Sequence, residues 1–564
     1  FFFNYGGYRI SQSETVALSV PTVRMRSGDF SELLTDPYVV NFFGGPVQVY
    51  SPIAGYDVAG NPIPAPAGSR TPIPGNRIDL FRLPSGQGII DPAGFNILQL
   101  FPLPTSAGVH RNYLASSNAG STTNYYVGKV THIISDRQSL NFSYTYRKLD
   151  SDKGGFPRFP LPFVQNGFFQ QNFRSYYARL QYDLSITPKL LNHFNAGFSR
   201  SFVFNGNVTR GLSSTALGLP ANSTQNLGLP LIGFPNYGDP VTSPDPRSYQ
   251  GAGSTFFNNT DGDNAVQFND FVTYSTGRHT FKFGAETRFQ QLNDSNHFDI
   301  GGQFNFQSGQ TANDTTNGTQ GSPIASLITG ANEFAFNSVQ TIDPGFRFFS
   351  PGFFAQDDFK VTPKLTLNLG VRYDIAYPRV EARDRYRGFD PTKPNPAAGG
   401  RLGALAGAAG QGGVQADYRG LVKPDYSNFG PRFGFAYAIN DRTVVRGGYG
   451  LYYAPLLYND FGRAGAAGYN ADQLVAVGGT DVRTFLRNFP ALPPVDPNSQ
   501  GVGRLDDTVN YFDKDFKLGR TAQYSLDIQR ELPSNFVVSV SYIGHKATRL
   551  RSRFNPLNTL PLEA

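Results

Sequence analysis

Phe354-Ala355-Gln356-Asp357-Asp358-Phe359-Lys360-Val361-Thr362-Pro363-Lys364-Leu365-Thr366-Leu367-Asn368-Leu369-Gly370-Val371-Arg372-Tyr373-Asp374 decides the fold of this 564-residue chain. From Leu365 onward one alternate set is Leu365, Leu367, Leu369, Val371 and Tyr373; the other is Thr366, Asn368, Gly370, Arg372 and Asp374. Successive side chains of a strand point to opposite faces, so this segment is a strand with one apolar and one polar side. Thr362-Pro363-Lys364 is a short polar connector to the segment before it, and together they read as a hairpin.

The same period recurs outward from this stretch. Phe281, Phe283, Ala285, Thr287 and Phe289 alternate with Lys282, Gly284, Glu286 and Arg288. Leu140, Phe142, Tyr144 and Tyr146 alternate with Asn141, Ser143, Thr145 and Arg147, and Tyr176, Ala178, Leu180, Tyr182 and Leu184 with Tyr177, Arg179, Gln181 and Asp183. Such strands run to about ten residues, longer than those of soluble sheets and near the length that crosses a bilayer when tilted.

Six short connectors join pairs of these segments: Ser135-Asp136-Arg137-Gln138, Thr187-Pro188-Lys189, Thr276-Gly277-Arg278, Thr362-Pro363-Lys364, Asn440-Asp441-Arg442 and Pro533-Ser534-Asn535. Between hairpins lie stretches rich in Gly, Pro, Asn and Ser, at 150–172, 204–263, 291–345, 378–427 and 454–519. Loops that long are uncommon in compact soluble domains. Alternation of tight and long connectors is the build of an outer-membrane barrel, with short periplasmic turns and long external loops. A soluble sandwich or propeller shares the period but not the two classes of connector, and no blade-sized repeat is visible.

Energetics orients the wall. A Lys or Arg facing lipid near the midplane costs about 2–4 kcal/mol, so Lys282 and Arg288, and with them the Arg and acid residues of the strands, are expected in the lumen, and Phe281, Phe283 and Phe289 against lipid. The pairs Phe348-Phe349, Phe353-Phe354, Tyr176-Tyr177 and Tyr452-Tyr453 suit interfacial girdles or, equally, ordinary strand positions. Two short helices are expected within the long segments. One is capped by Ser322 with Pro323 first and Gly330 closing it; the other starts at Asp91-Pro92. Residues 403–413, rich in Gly and Ala, are expected to be mobile.

Composition narrows the function. The 50 Phe and 30 Tyr supply apolar area that disordered chains lack. Absence of Cys excludes disulfides, thiolate metal sites and a Cys nucleophile. A net charge of +7 is dilute and forms no basic run of five, so nucleic acid is not an expected partner. No apolar run is long enough for a transmembrane helix. The six His (His110, His132, His193, His279, His297, His545) show no helical metal spacing. No nucleophile elbow or phosphate loop occurs. Asp261-Gly262-Asp263-Asn264 lacks the rest of a calcium loop and reads as a plain turn, with calcium as the lesser reading. Asp357 and Asp358 point to opposite faces and cannot share an acid–base task. Catalytic, cofactor and metal sites are expected to be none, cofactors none, and the chain is not expected to be an enzyme. The ligand-binding residues are unknown.

Residues 354–374 resemble a hairpin of TonB-dependent outer-membrane receptors, and the chain is similar to their Oar-like branch. Arg26-Ser27-Gly28-Asp29-Phe30, Pro74-Gly75-Asn76-Arg77-Ile78, Gly277-Arg278-His279-Thr280-Phe281-Lys282-Phe283-Gly284, Asn428-Phe429-Gly430-Pro431-Arg432-Phe433-Gly434-Phe435 and Ser541-Tyr542-Ile543-Gly544 carry the likeness in that order. It implies an all-β, antiparallel transmembrane β-barrel, here a partial one of about 13 strands out of an expected 22 or so. The partial barrel domain spans 1–564. Within it, 11–123 is a long loop region after the first strand, 124–545 holds six hairpins separated by long loops, and 546–564 starts a further, truncated loop. Phe1-Phe2-Phe3-Asn4-Tyr5 already reads as a strand, and Leu560-Pro561-Leu562-Glu563-Ala564 is not the aromatic last strand of that family. The plug, the signal peptide and the last strands are therefore expected in a longer parent chain.

The resemblance implies a barrel segment of an energy-coupled receptor in the bacterial outer membrane. Its partners would be outer-membrane lipid, the TonB complex (through a plug not in this chain) and a small ligand: a carbohydrate, a siderophore or a peptide. Segments 204–263, 291–345 and 454–519 would face the ligand. Alternatives are a passive porin or structural barrel, and a soluble β-rich surface adhesin.

Overall fold

The computed structural model describes residues 1–153, 169–206, 209, 215–219, 229–253, 256–298, 302–314, 318–454, 470–476, 481–482, 484–490, 495–500, 511 and 513–550. The end of the chain beyond 550, including Leu560–Ala564, lies outside them, as do parts of the long segments.

The wall is an antiparallel sheet in which each strand pairs with its neighbours in sequence. Its strands are β1 (Phe2–Leu18), β2 (Tyr113–Ser135), β3 (Gln138–Lys153), β4 (Phe169–Thr187), β5 (Leu190–Gly206), β6 (Phe256–Thr276) and β7 (His279–Phe298). They continue with β8 (Gly345–Thr362), β9 (Leu365–Ala376), β10 (Asp425–Asn440), β11 (Thr443–Tyr453), β12 (Arg520–Glu531) and β13 (Val537–Thr548). The hydrogen-bonded order runs from β1 to β13 without a crossover, and Val380–Glu381 adds a short rung beside β8. All six expected hairpins form at the expected turns.

The strands exceed the expected ten residues: β2 has 23, β6 has 21 and β7 has 20. About ten residues cross the bilayer, so the far halves of these strands stand outside it. β1 likewise continues past residue 11 to Leu18, and β2 begins at Tyr113 rather than near 124. Asp261–Asn264 is not a turn but part of β6, because its neighbours pair in register with both β5 and β7.

The interval between β1 and β2 is not a loop but a folded unit. It contains α1 (Val23–Ser27), α2 (Glu32–Thr35), α3 (Pro37–Phe43) and α4 (Pro92–Leu100). It joins α5 (Pro323–Ile328), the 3-10 turn Leu486–Asn488 and a four-stranded sheet of Asn470–Ala476, Phe334–Gln340, Gln303–Asn305 and Leu231–Gly233. One apolar core joins these pieces: Leu18, Met25, Phe30, Ile73, Leu98, Phe306, Leu327, Ile328 and Phe485 are all fully buried. We call this unit the cap, since its segments hang on the strand ends opposite the tight turns.

Both expected helices occur in the cap. Asp91 Oδ1 accepts from the N–H of Ala93 (2.9 Å) and Gly94 (3.2 Å), and Ser322 Oγ from that of Ala325 (3.4 Å). Gly330 follows α5 at φ 72°, a left-handed turn that glycine adopts without strain. The segment expected to be mobile, 403–413, is instead ordered: Leu402–Gly407 pairs with Arg387–Pro394, and Ala404, Leu405 and Ala406 are buried. Small residues here permit close packing, which composition alone reads as looseness.

Candidate functional site

Register assigns the two faces of the wall. Phe281 pairs with Tyr274, Phe283 with Val272 and Phe289 with Val266; further along, Leu369 pairs with Phe433 and Phe433 with Tyr449. These side chains form the apolar face, and Phe283, Phe289, Leu369, Phe433 and Tyr449 are well exposed on it. Burying them in lipid is favourable where water would make them a liability. Toward the external end this face carries aromatic rows across several strands. Tyr5, Tyr126, Tyr146 and Tyr176 run from β1 to β4 with successive ring centroids 5.1, 6.1 and 5.0 Å apart. Phe289, Phe349 and Tyr377 continue the theme at 4.7 and 5.5 Å, as interfacial girdles do.

The opposite face, the lumen side, is paired charge. Arg372 bonds Asp374 through Nε (3.0 Å) and Nη2 (2.7 Å), and its Nη2 also meets Glu286 on β7. Asp183 accepts from Gln181 (2.9 Å) and pairs with His193. Lys282 lies 4.0 Å over the Phe271 ring, and Arg432 4.9 Å over that of Tyr452. Lys282 and Arg432 thus sit on aromatic faces, and Arg372 beside carboxylates.

A concavity of about 540 Å³ indents the wall at β8–β13. Gly370, Gly434, Gly448 and Gly450 line it with backbone, while Gln356, Asn368, Arg432, Tyr452, Gln523, Ser525 and His545 supply side chains around them. Gly370, Gly434 and Gly448, which project no side chain, leave its floor open; amide, hydroxyl, imidazole and guanidinium groups on its rim suit a neutral or acidic polar ligand. The sequence shows the run Arg446-Gly447-Gly448-Tyr449-Gly450, but only pairing reveals that Gly448 and Gly434 meet across strands.

Two acids break the expectation that acids line the lumen. Asp357 pairs across the sheet with Phe281 and Leu369, and Asp270 with Ala285 and Phe194, so both lie on the apolar face. Each has a local partner: His279 Nδ1 is 2.8 Å from Asp357, and Asn192 Nδ2 donates to Asp270 at 2.6 Å. The imidazole of His279 is stacked on Phe281 and Phe359. Asp358, as expected, faces the other way and accepts from Asn368 (2.5 Å) and Gln356 (3.1 Å). The remaining His are scattered. His110 stacks on Tyr38 in the cap at 4.4 Å, where burial lowers its pKa. His132 and His297 occupy strands β2 and β7, and His545 the rim of the concavity. Among the described residues no three metal-ligating side chains converge.

Parts of the segments expected to face a ligand belong to the cap. Residues 229–252, 304–335 and 482–489 give it core side chains. Arg70, fully enclosed, donates to the carbonyls of Ala65, Gly309 and Ala312 at 3.0, 2.8 and 2.6 Å, and burial lowers its pKa to about 10. The stretches around Asp29 and Asn76, far apart in sequence, meet here. Phe30 N–H donates to the Asn76 carbonyl (3.0 Å), Ile78 N–H to that of Gly28 (2.9 Å), and buried Asn76 ties Val47, Gln48 and Val49 together. A second clasp joins the long connections on either side of β10–β11. Arg387, wholly buried, donates to the carbonyls of Pro497 (3.0 Å) and Ser499 (2.9 Å), and Lys514 pairs with Asp390 (2.8 Å) and Asp417 (2.6 Å).

Among solved structures, the chain is similar to the outer-membrane transporter YddB from Escherichia coli at 12% identity and TM-score 0.42, over 78% of this chain and 42% of that one. The ferric enterobactin receptor PfeA from Pseudomonas aeruginosa matches at 12% and 0.35, over 79% and 45%. The ferric-catecholate import receptor Fiu from E. coli matches at 11% and 0.36, over 76% and 53%. The chain thus spans about half the length of these proteins or less. No curated protein matches the sequence. The outer membrane beta barrel domain family matches residues 1–563, and the chain, with its lipid-facing antiparallel wall, belongs to that family, in the bacterial outer membrane.

Proposed function

We propose that this chain is the wall and external cap of a TonB-dependent receptor that takes up a small polar ligand across the outer membrane. One observation carries the reading: a folded cap with its own core stands on the external ends of a wall whose polar face is lined by paired charges and a glycine-floored hollow. A passive pore needs an open mouth; a receptor needs rigid external surface on which binding groups are fixed. The energy-coupling plug and the TonB contact would be supplied by sequence outside this chain. The ligand class that suits the hollow is a carbohydrate, peptide or iron chelate bearing hydroxyls or carboxylates.

The test is uptake of labelled siderophores, oligosaccharides and short peptides by cells carrying the parent gene, with and without a proton-motive uncoupler. Energy-coupled import requires that one ligand accumulates and that the uncoupler abolishes it. Uptake that persists with the uncoupler, together with steady ion conductance in planar bilayers, would move the assignment to a passive porin. A chain that folds in buffer without detergent would move it to an adhesin.

A further inference from the structure

The tight turns at the periplasmic end repeat one layout. In five of the six, the residue immediately before the returning strand is a cation: Arg137, Lys189, Arg278, Lys364 and Arg442. One hydrogen bond pins every slot. The carbonyls of these residues accept from the N–H of Ser185, Ser275, Lys360, Ala438 and Glu531 on the neighbouring hairpin, each at 2.8 Å. In four, the cation's own N–H donates to the side chain two positions earlier, on Ser135, Thr187, Thr362 and Asn440, at 3.0–3.3 Å. The backbone therefore holds five cations in equivalent places along the rim.

Their side chains are exposed, and among the described residues none of the five makes an ion pair. Arg278 alone bonds back, to the carbonyl of Val361 at 2.9 Å. The acids in these turns are Asp136 and Asp441, and Glu531 lies beside the sixth, so the rim stays net positive. A few residues away on the apolar face stand Ile134, Ile186, Tyr274 and Ile439, all exposed. Cations just beyond an apolar band sit at headgroup depth, their stems along the hydrocarbon and their charges in the interface.

We propose that this turn ring is a collar for the anionic headgroups of phospholipid in the periplasmic leaflet. Successive hairpins are two strands apart, about 10 Å along the sheet. That is near the Debye length at physiological salt, so the five cations meet separate headgroups and do not converge on one anion. A row of single charges along a membrane edge fits a lipid leaflet better than a soluble phosphate. It would act as a depth gauge for the wall, independent of what the barrel carries.

The full chain, folded in detergent, would be mixed with equal amounts of phosphatidylglycerol and phosphatidylcholine, and the lipids that co-purify measured by mass spectrometry. A juxtamembrane cation gives up to about fivefold preference for anionic lipid, so the wild type is expected to enrich phosphatidylglycerol several-fold, less so at high salt. R137Q/K189Q/R278Q/K364Q/R442Q should bring the ratio close to that of the input, whereas exchanging Arg for Lys and Lys for Arg at the five positions should keep it. D136N/D441N should raise it, and neutralising Arg24, Arg82 and Arg401 in the external region should leave it unchanged. The charge-conserving exchange guards against misfolding as an explanation. No enrichment in the wild type, or full enrichment in the quintuple Gln variant, would overturn the proposal. So would binding to purified peptidoglycan that the same five substitutions abolish, without any lipid preference.

Discussion

Wall and cap solve opposite problems with the same residue types. In the wall, Phe283 and Phe289 are about half exposed (47% and 46%) and lipid covers them; in the cap, Phe306 and Phe485 are 0% exposed and protein covers them. The wall draws its specificity from backbone pairing between neighbours in sequence. The cap draws it from side-chain packing between segments hundreds of residues apart. Stability should therefore respond to substitution by different rules in the two regions.

The largest separation is expected from Phe485→Ala. Truncating a fully buried Phe costs about 3–5 kcal/mol, so hydrogen exchange should accelerate across α4 and α5 while the amides of β6 and β7 stay protected. Equal acceleration in both regions would break the distinction. Next comes Phe283→Arg on the lipid side, expected to lower unfolding stability in vesicles by about 2–4 kcal/mol. Ser199→Arg, on the polar face between Tyr177 and Ala265, should stay within about 0.5 kcal/mol, as surface changes do; urea titration of both variants checks the facing directly.

Glycines give a finer contrast. A Cβ on Gly94 would fall 2.0 Å from the carbonyl oxygen of Leu327, whereas one on Gly128 of β2 would meet nothing within 4 Å. Gly94→Ala should cost about 1–3 kcal/mol through overpacking of α4 on α5, and Gly128→Ala should be neutral or slightly stabilising; thermal melts rank the pair.

The smallest effect concerns pH. Burial alone would raise the pKa of Asp390, but hydrogen bonds from Lys514 and Thr392 outweigh it and hold the carboxyl below its usual value. Hydrogen bonds from Lys393 and Lys514 do the same for Asp417, and the two carboxylates raise the pKa of Lys514. A depressed carboxyl contributes stability above its unfolded pKa of about 3.9 and loses it as pH falls through the folded value. Lys514 contributes below about 10.4 and loses its share only above that. Protease sensitivity of 387–407 and 513–518 should thus be flat between about pH 5 and 9 and rise below about 4. A rise near pH 6 would point to a different clasp.

The wall was legible in the sequence because its causes are local. Leu365–Tyr373 shows period two, and Thr-Pro-Lys or Gly-Arg turns punctuate it without reference to anything distant. The helices at Asp91-Pro92 and Ser322-Pro323 were legible for the same reason, each carrying its own cap. The cap's core was not, since Met25, Ile73, Leu98 and Phe485 follow no common period and acquire meaning only when brought together. The outward placement of Asp270 and Asp357 was legible only in part: period two puts one of Asp357 and Asp358 on the apolar face, but not the partners that receive it. Each is one polar residue in an alternating strand, and only cross-strand register shows that it sits beside Phe194 or Phe281. The hollow was half visible: its glycines could be counted, but their meeting across β10 and β11 could not.

The order of strands in the wall has a kinetic consequence. Each hairpin closes locally over its own tight turn and then meets the hairpin just made across a single connection, so no strand has to search past its neighbour in the chain. The cap instead waits for Phe485 and Leu486 to reach a core that starts at Leu18, and loop closure over so long a chain is the slow kind. Assembly should accordingly be sequential: wall first, hairpin by hairpin, with the external unit condensing last. A chain arrested midway would present an inserted sheet bearing an uncollapsed, protease-sensitive outer end.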